Sequence, residues 1–228
     1  MTTGTTRGQA LPPARAAMLE AIRESVRDCA GYTGRSALSE RVMAAMGSVE
    51  REQFVSPRYR HRAHDNAPLP IARGQTISQP LIVALMSDLL DPQPDDVVLE
   101  VGTGSGYQAA VLSLLVRHVY SVEVVEELAA QSSALLQRLG YGNVSVRHGD
   151  GYSGWAEHAP FDGIVVTAAA QKIPPALLQQ LKPGAQLVIP VGPLHAAQEL
   201  LAVTVDADGA VHQRPVLPVR FVPFTGSG

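Results

Sequence analysis

The feature that most constrains the fold is a regular alternation of short apolar runs with helical stretches from residue 96 onward. The apolar runs are VVLEV (97–101), HVYSVE (118–123), NVSVRHGD (143–150), FDGIVVTAA (161–169) and AQLVIPVG (185–192). The helical stretches between them are 106–116, 126–139 and 173–181. Strands that alternate with helices form parallel βαβ units. The sequence therefore predicts a three-layer α/β fold with a mostly parallel sheet.

The parts before and after this alternation follow other patterns. At the end, QELLAVTVD and VHQRPVLPVRFVPF flank the turn DADG, which predicts an antiparallel pair closing one edge of the sheet. Pro215, Pro218 and Pro223 make the last run unsuitable as a central strand. Before residue 96 we expect helices over roughly 13–30, from Ser36, and from Gln79 or Pro80 to residue 90, with an ordered loop over 47–80.

These patterns divide the chain into three parts. We expect a disordered tail over 1–12, a helical segment over 13–95 on the substrate side, and an α/β core over 96–225. The segments 13–95 and 96–225 are expected to form one compact domain, because 228 residues are little more than one domain's usual length.

Composition excludes several classes of function. The chain has 18 Lys+Arg against 21 Asp+Glu and no basic stripe, which argues against a nucleic-acid partner. Its single cysteine, Cys29, rules out a disulfide framework and a cysteine-based zinc site. The longest apolar run, 81–86, is far shorter than the ~18 residues that span a bilayer, and the N-terminus lacks a signal-like apolar region. We therefore expect a cytoplasmic protein with no metal, nucleic acid or membrane partner. We also expect a monomer, although composition does not determine the oligomeric state.

The strongest local motif is EVGTGSG, which lies between the first strand of the alternation and the next helix. A dinucleotide fingerprint requires a third glycine at position 107, where this chain has Tyr107. The glycines instead occupy every second position, Gly102, Gly104 and Gly106, after the acidic Glu100. An acidic side chain opposes a phosphate and suits a cationic ligand that carries an amino group. This spacing is similar to motif I of S-adenosylmethionine-dependent methyltransferases, and a turn without a ligand is the alternative.

Two further acidic residues follow the next two strands. Glu123 lies about 20 residues beyond the glycine loop, where a carboxylate can accept hydrogen bonds from ribose hydroxyls. Asp150 lies in Gly149-Asp150-Gly151, where it can accept from an exocyclic amine. A solvated strand end and a tight turn are the alternatives. Because parallel strands end at one edge of the sheet, we expect the three acidic groups to line that edge.

A longer resemblance includes the region before the sheet. PLPIARGQTISQP (68–80) and the following LIVALMSDLL closely resemble the signature of the protein-L-isoaspartate (D-aspartate) O-methyltransferase family, and the resemblance extends over about 35–225. It implies a Rossmann-like methyltransferase fold with an antiparallel C-terminal strand and an N-terminal helical extension. It also implies S-adenosyl-L-methionine as cofactor. The implied reaction is methylation of the α-carboxyl of L-isoaspartyl residues, and weakly of D-aspartyl residues, in damaged proteins and peptides.

The resemblance also assigns residues. It makes Ser78 the active-site serine. The implied cofactor contacts are Thr76, Ile77, Glu100, Gly102, Gly104, Gly106, Glu123, Asp150, Gly151 and Thr225. The implied substrate contacts are Pro70, Ile71, Thr76, Ser78, Val219, Arg220, Phe221 and Val222. The chain departs from the family at LPIARG and AHDN, where many members have LPIGHG and AYED.

Two other functions remain open at this point. A carboxyl methyltransferase of the same fold could be dedicated to one peptide or protein, and a non-catalytic cofactor-binding protein could act as a scaffold. A serine hydrolase does not fit, because no G-x-S-x-G elbow is present and Ser78 precedes the sheet. Methyl transfer to a carboxylate needs no strong base, because a carboxyl group is ionised at pH 7.

Overall fold

A twisted seven-stranded sheet forms the centre of the molecule. The computed structural model describes residues 11–193 and 196–226. Two short strands, β1 (Leu69–Pro70) and β2 (Thr76–Ile77), form a separate antiparallel pair. The main sheet contains β3 (Val97–Val101), β4 (His118–Glu123), β5 (Val144–His148), β6 (Phe161–Val166), β7 (Leu181–Val191), β8 (Gln198–Val205) and β9 (Val211–Val219). Its order is β5-β4-β3-β6-β7-β8-β9.

Helices cover the sheet and build the N-terminal part of the chain. They are α1 (Pro13–Asp28), α2 (Ala30–Thr33), α3 (Glu40–Ser48), α4 (Pro80–Leu89), α5 (Tyr107–Ser113), α6 (Glu126–Arg138) and α7 (Pro175–Gln179). Met18 of α1, Leu85 of α4 and Val98 of β3 belong to one buried apolar cluster. The N-terminal helices therefore pack on the same core as the sheet.

The strand pairings agree with the predicted topology. β5, β4, β3, β6 and β7 are parallel to one another, and β8 is antiparallel to β7 and to β9. Residues on β3 and β6 are almost entirely buried on both faces, as is usual for parallel strands covered by helices. The carboxyl ends of β3, β4 and β6 therefore meet at one edge, beside the glycine loop.

The antiparallel strands bring the C-terminal segment back to this edge. β9 is an edge strand that pairs only with β8 in the main sheet. Pro215 and Pro218 lack a backbone N–H, and an edge strand tolerates this because one of its sides has no partner strand. Beyond it, Ala169 N donates to Val222 O and Phe224 N donates to Ala169 O, both at 2.8 Å. Residues 222–225 are thereby fixed over the ends of β3 and β6.

Element boundaries differ from the prediction where side chains or prolines set them. The second predicted helix begins at Glu40 instead of Ser36, because the Ser39 hydroxyl accepts from Val42 N and caps it. α2 was not predicted, and β7 begins at Leu181 instead of residue 185. The loop over 47–80 contains β1, β2 and three 3-10 turns. The predicted tail over 1–12 lies outside the described residues except for Leu11 and Pro12.

Within 11–193 and 196–226, none of the helices combines the length and the apolar character that crossing a bilayer requires.

Candidate active site

The glycine loop between β3 and α5 depends on backbone conformations that favour glycine. Gly102, Gly104 and Gly106 have φ of 97°, 52° and 87°, all in the left-handed region. A Cβ atom on Gly102 would lie 2.5 Å from Thr167 Oγ1. Any larger residue at this position would therefore be both strained and in collision with the end of β6.

Glu123 fixes the glycine loop from the end of the neighbouring strand. Its Oε2 accepts from Gly104 N at 2.8 Å, and its Oε1 accepts from Val125 N at 2.9 Å. The side chain is almost buried, yet it forms part of the cavity wall beside the loop. One carboxylate therefore holds the loop and also presents negative charge to whatever occupies the cavity.

This cavity, which we call the glycine-loop cavity, has about 540 Å³ of empty space, including its opening to solvent. Six of the predicted cofactor contacts line it: Thr76, Gly102, Gly104, Glu123, Gly151 and Thr225. Val222, which was predicted as a substrate contact, also lines this cavity and does not line the second cavity described below. The sequence did not identify other lining residues, namely Gln75, Val101, Val122, Val124, Val125, Thr167, Ala168, Pro223 and Phe224. Thr167 could have been found, because it directly follows strand β6 at the edge where ligands bind in such folds.

A second cavity lies beside the first on the side of the N-terminal segment. This Ser78 cavity has about 1000 Å³ of empty space, including its opening to solvent. The predicted residues Thr76, Ser78, Val219, Arg220 and Phe221 line it, and Pro68, Gln79, Leu81, Ile82, Ala197, Leu217 and Pro218 complete the described wall. Thr76 lines both cavities, so the two adjoin at this residue.

Four predicted site residues line neither the glycine-loop cavity nor the Ser78 cavity and support their walls. Ile71 lies across the glycine loop, with its Cδ1 3.7 Å from where a Gly104 Cβ would be. Ile77 is buried in β2, and Gly106 begins α5 against Leu136. Asp150 accepts from Tyr152 N at 2.9 Å and caps the turn that contains the cavity residue Gly151.

Pro70 is exposed in β1, where it pairs with Thr76. It lines neither cavity. Its contribution to the site is therefore to hold Thr76 in the short β1–β2 pair.

The structure places Glu100 beneath the glycine loop and outside the cavity. It is fully buried, and its Oε2 is hydrogen-bonded to Ser121 Oγ, which lies 2.5 Å from Thr103 Oγ1. Its Oε1 has no hydrogen-bond partner among the described residues. Burial, and to a smaller extent the charge of Glu123, raises the pKa of Glu100 to about 8. The side chain is therefore neutral at pH 7 and does not present the charge that the sequence suggested.

The Ser78 segment is held from behind by two side chains. Arg51 Nη2 donates to Ser78 O at 2.8 Å, and Asn66 Oδ1 accepts from Leu81 N at 3.0 Å. Helix α4 begins at Pro80 with Gln79 as its N-cap residue and has no side-chain cap. The Ser78 hydroxyl is therefore not used to cap the helix.

No group of three or more His, Cys, Asp or Glu side chains is arranged to hold a metal ion in the described part of the chain.

Comparison with known proteins identifies the family. The sequence model of "Protein-L-isoaspartate(D-aspartate) O-methyltransferase" matches residues 32–228. The chain belongs to this family. It is 56% identical over 209 residues to protein-L-isoaspartate O-methyltransferase 2 of Polaromonas sp., covering 92% of this chain and 99% of the relative. It is also 56% identical over 213 residues to the protein of that name from Syntrophobacter fumaroxidans, covering 93% of this chain and 86% of the relative.

Solved structures agree with this family assignment. A protein-L-isoaspartate O-methyltransferase superposes with a TM-score of 0.80 at 26% identity, covering 93% of this chain and 66% of that chain. A Plasmodium falciparum protein, crystallised in complex with S-adenosyl-L-homocysteine, superposes with a TM-score of 0.75 at 24% identity. The alignment covers 92% of this chain and 98% of that chain. The predicted methyltransferase fold is thereby confirmed.

The buried Glu100 makes the stability of the protein depend on pH. Its folded-state pKa of about 8 exceeds the ordinary value of 4.5. Its stabilising contribution is complete below the ordinary pKa and is lost as pH rises through 8. Relative to Glu100→Gln, the wild-type free energy of unfolding should fall by about 1.4 kcal/mol per pH unit between about pH 5 and 8. Urea denaturation at several pH values measures this, and parallel curves for the two proteins would contradict it.

Proposed function

We propose that this protein transfers a methyl group from S-adenosyl-L-methionine to the α-carboxyl of L-isoaspartyl residues, and weakly of D-aspartyl residues. The observation that carries the proposal is that two cavities adjoin at Thr76. One is bordered by the glycine loop and Glu123, and the other by Ser78 and the segment after β9. A methyl donor and a peptide acceptor need two such neighbouring sites, with the reacting atoms at their junction.

The glycine-loop cavity fits the proposed cofactor. Gly102 and Gly104 leave backbone exposed where a ligand can approach closely, and the Glu123 carboxylate can accept hydrogen bonds from ribose hydroxyls. Gly151 has no room for a Cβ atom, which would lie 2.3 Å from Val101 Cγ1. Thr225 and the ring of Phe224 border the same space. When bound, the cofactor supplies a sulfonium-activated methyl group.

The protein's own contribution is orientation. The substrate carboxylate is already a nucleophile at pH 7, so the site needs no general base. We infer that the Ser78 hydroxyl donates to one carboxylate oxygen and leaves the other directed at the methyl group. Val219, Arg220 and Phe221 would lie along the peptide on either side of the damaged residue. The rate gain then comes mainly from proximity and alignment.

The proposal includes damaged proteins as partners and repair as the purpose of the reaction. A methyltransferase dedicated to one peptide is not favoured, because relatives that match almost the whole chain carry the isoaspartate name. We further propose a cytoplasmic location, which the single cysteine supports, because Cys29 has no second cysteine with which to form a disulfide. A monomeric state remains a prediction.

The reaction itself is tested with a matched pair of peptides. One contains isoaspartate and the other aspartate in the same sequence, so their carboxylates differ by one methylene in placement. Methyl transfer from labelled S-adenosylmethionine should occur to the isoaspartyl peptide and be at least ~100-fold slower to the aspartyl peptide, because displacement tolerates little misalignment. Equal rates would indicate a general carboxyl methyltransferase and overturn the repair function.

Glu123→Gln tests the cofactor site. The amide keeps the size of the side chain but removes the charge that would accept from ribose hydroxyls, and its NH2 group cannot accept from one of the two backbone N–H groups, Gly104 N or Val125 N, that the carboxylate holds. Affinity for S-adenosylmethionine, measured by calorimetry, should fall about 10- to 150-fold, since a hydrogen bond to a charged group contributes ~1.5–3 kcal/mol. Glu126→Gln, an exposed neighbour that does not line the cavity, is the control. Unchanged affinity in a folded Glu123→Gln protein would reject the assignment.

Ser78→Ala tests the orienting role of the hydroxyl. Turnover should fall about tenfold, because a neutral hydrogen bond contributes ~0.5–1.5 kcal/mol and poorer alignment adds to the loss. Cofactor affinity should stay the same. Single-turnover methyl transfer and calorimetry on one preparation separate the two effects. Abolished activity together with a methylated wild-type enzyme intermediate would instead show a nucleophilic serine, and a wild-type rate would show that Ser78 has no role in turnover.

A further inference from the structure

Arg51 is a fully buried arginine that has no part in the methyl transfer described above. It lies in the 3-10 turn Arg51–Gln53, directly behind the Ser78 segment. Its Nε donates to Ala63 O and its Nη2 donates to Ser78 O, both at 2.8 Å. Its guanidinium carbon lies 4.6 Å from the centroid of the Tyr107 ring, and Nη1 has no hydrogen-bond partner among the described residues.

This buried charge has no carboxylate partner. Among the described residues, no Asp or Glu oxygen lies within 4.0 Å of the Arg51 guanidinium. The adjacent Glu52 is engaged elsewhere, with Oε1 3.2 Å from Arg15 Nη2 and Oε2 3.2 Å from His64 Nε2. Burial lowers the pKa of His64, which is therefore neutral at pH 7, and Arg15 alone balances Glu52. Arg51 is left as one excess positive charge, because an arginine side chain remains protonated in proteins.

The Ser78 cavity is chemically matched to this excess charge. Its described wall contains no Asp or Glu, and its one charged residue is the exposed Arg220. An unpaired buried cation is costly unless something compensates it. The proposed substrate supplies an anionic carboxylate to the cavity on the other side of the Ser78 peptide.

We propose that Arg51 is a positioning residue that acts as a buried counter-charge for the substrate carboxylate, through the Ser78 peptide and without binding the carboxylate oxygens. This inference rests on the proposed function. The placement behind a backbone carbonyl has a chemical advantage. As a carboxylate oxygen forms its bond to the methyl carbon, the bond from carbon to sulfur breaks and its electron pair stays on sulfur. The products are a neutral ester and a neutral thioether.

Because negative charge disappears from the carboxylate in this step, a cation stabilises the bound substrate more than the transition state. A cation in direct contact would therefore hold back the nucleophile. Arg51 is separated from the substrate carboxylate by the Ser78 peptide. From this position its charge favours binding of the carboxylate, and the carboxylate oxygens stay free to react. Loss of the charge should consequently raise KM for the peptide and leave kcat at or above the wild-type value.

The experiment compares Arg51→Gln with Arg51→Lys, which can both donate hydrogen bonds and differ in charge. Two peptides are bound to each protein in the presence of S-adenosylhomocysteine. One contains isoaspartate, and the other carries an uncharged α-carboxamide in place of its α-carboxylate. The wild type should prefer the carboxylate, Arg51→Gln should lose about tenfold of that preference, and Arg51→Lys should retain it. Arg41→Gln, at an arginine that, among the described residues, donates only to Pro92 O and Leu115 O and does not line the Ser78 cavity, should also retain it.

A second measurement needs no change at Arg51 and applies even if Arg51→Gln does not fold. A buried charge is screened little by salt, whereas the exposed Arg220 is screened strongly. The preference of the wild type should therefore persist in 0.5 M KCl, an ionic strength with a Debye length of about 4 Å. It should also persist in Arg220→Gln.

Three results would overturn the proposal. First, the wild type could bind the carboxylate peptide no more tightly than the carboxamide peptide. Second, Arg51→Gln could show the same preference for the carboxylate as the wild type. Third, this preference could disappear in 0.5 M KCl or in Arg220→Gln. Failure of the proposed function is distinguishable from all three. In that case the wild-type protein would not methylate the isoaspartyl peptide at all, whatever its affinity for the two peptides.

Discussion

The two hydrogen bonds that Glu123 accepts hold the site together. They join the end of β4 to the glycine loop at Gly104 and to the start of α6 at Val125. The left-handed glycines could adopt many other conformations, so the loop is defined by this clamp and by the hydrogen bond that Thr167 Oγ1 donates to Gly102 O at 2.6 Å. Below the loop, the neutral Glu100 and Ser121 fill the space with hydrogen-bonded polar groups. The wall of the glycine-loop cavity, the glycine loop and the position of Ile71 across Gly104 all depend on this arrangement.

Local patterns made the centre of the fold predictable. The bounds of β3 and β4 agree with the sequence prediction residue for residue. A buried strand between two turns is predictable because its apolar residues are adjacent in the sequence and turn residues bound them on both sides. The glycine loop and Glu123 follow the same logic, since both come at the ends of those strands. β7 begins four residues earlier than predicted, because pairing with β6 extends across a register shift that no single-strand pattern contains.

The rest of the site arises from contacts between distant parts of the sequence. The Ser78 cavity is formed by residues around 76–82 and 217–221, which only the family resemblance had brought together. The neutral state of Glu100 depends on complete burial, which its strand-end position did not reveal. Arg51 could not be singled out, because an arginine in a polar turn is ordinarily solvated. Its burial is decided by Ala63, Ser78 and Tyr107, which come from three separate segments.

The return of residues 222–225 to the ends of β3 and β6 has a consequence for the order of events during synthesis. Phe224 stacks on Tyr152 at 4.2 Å between ring centroids and closes one wall of the glycine-loop cavity. A ribosome makes this segment after every other part of the fold. The nascent chain can therefore pair its parallel strands before this wall of the cavity has been synthesised. A partial chain that ends before residue 222 lacks that wall, although it contains the glycine loop and Glu123.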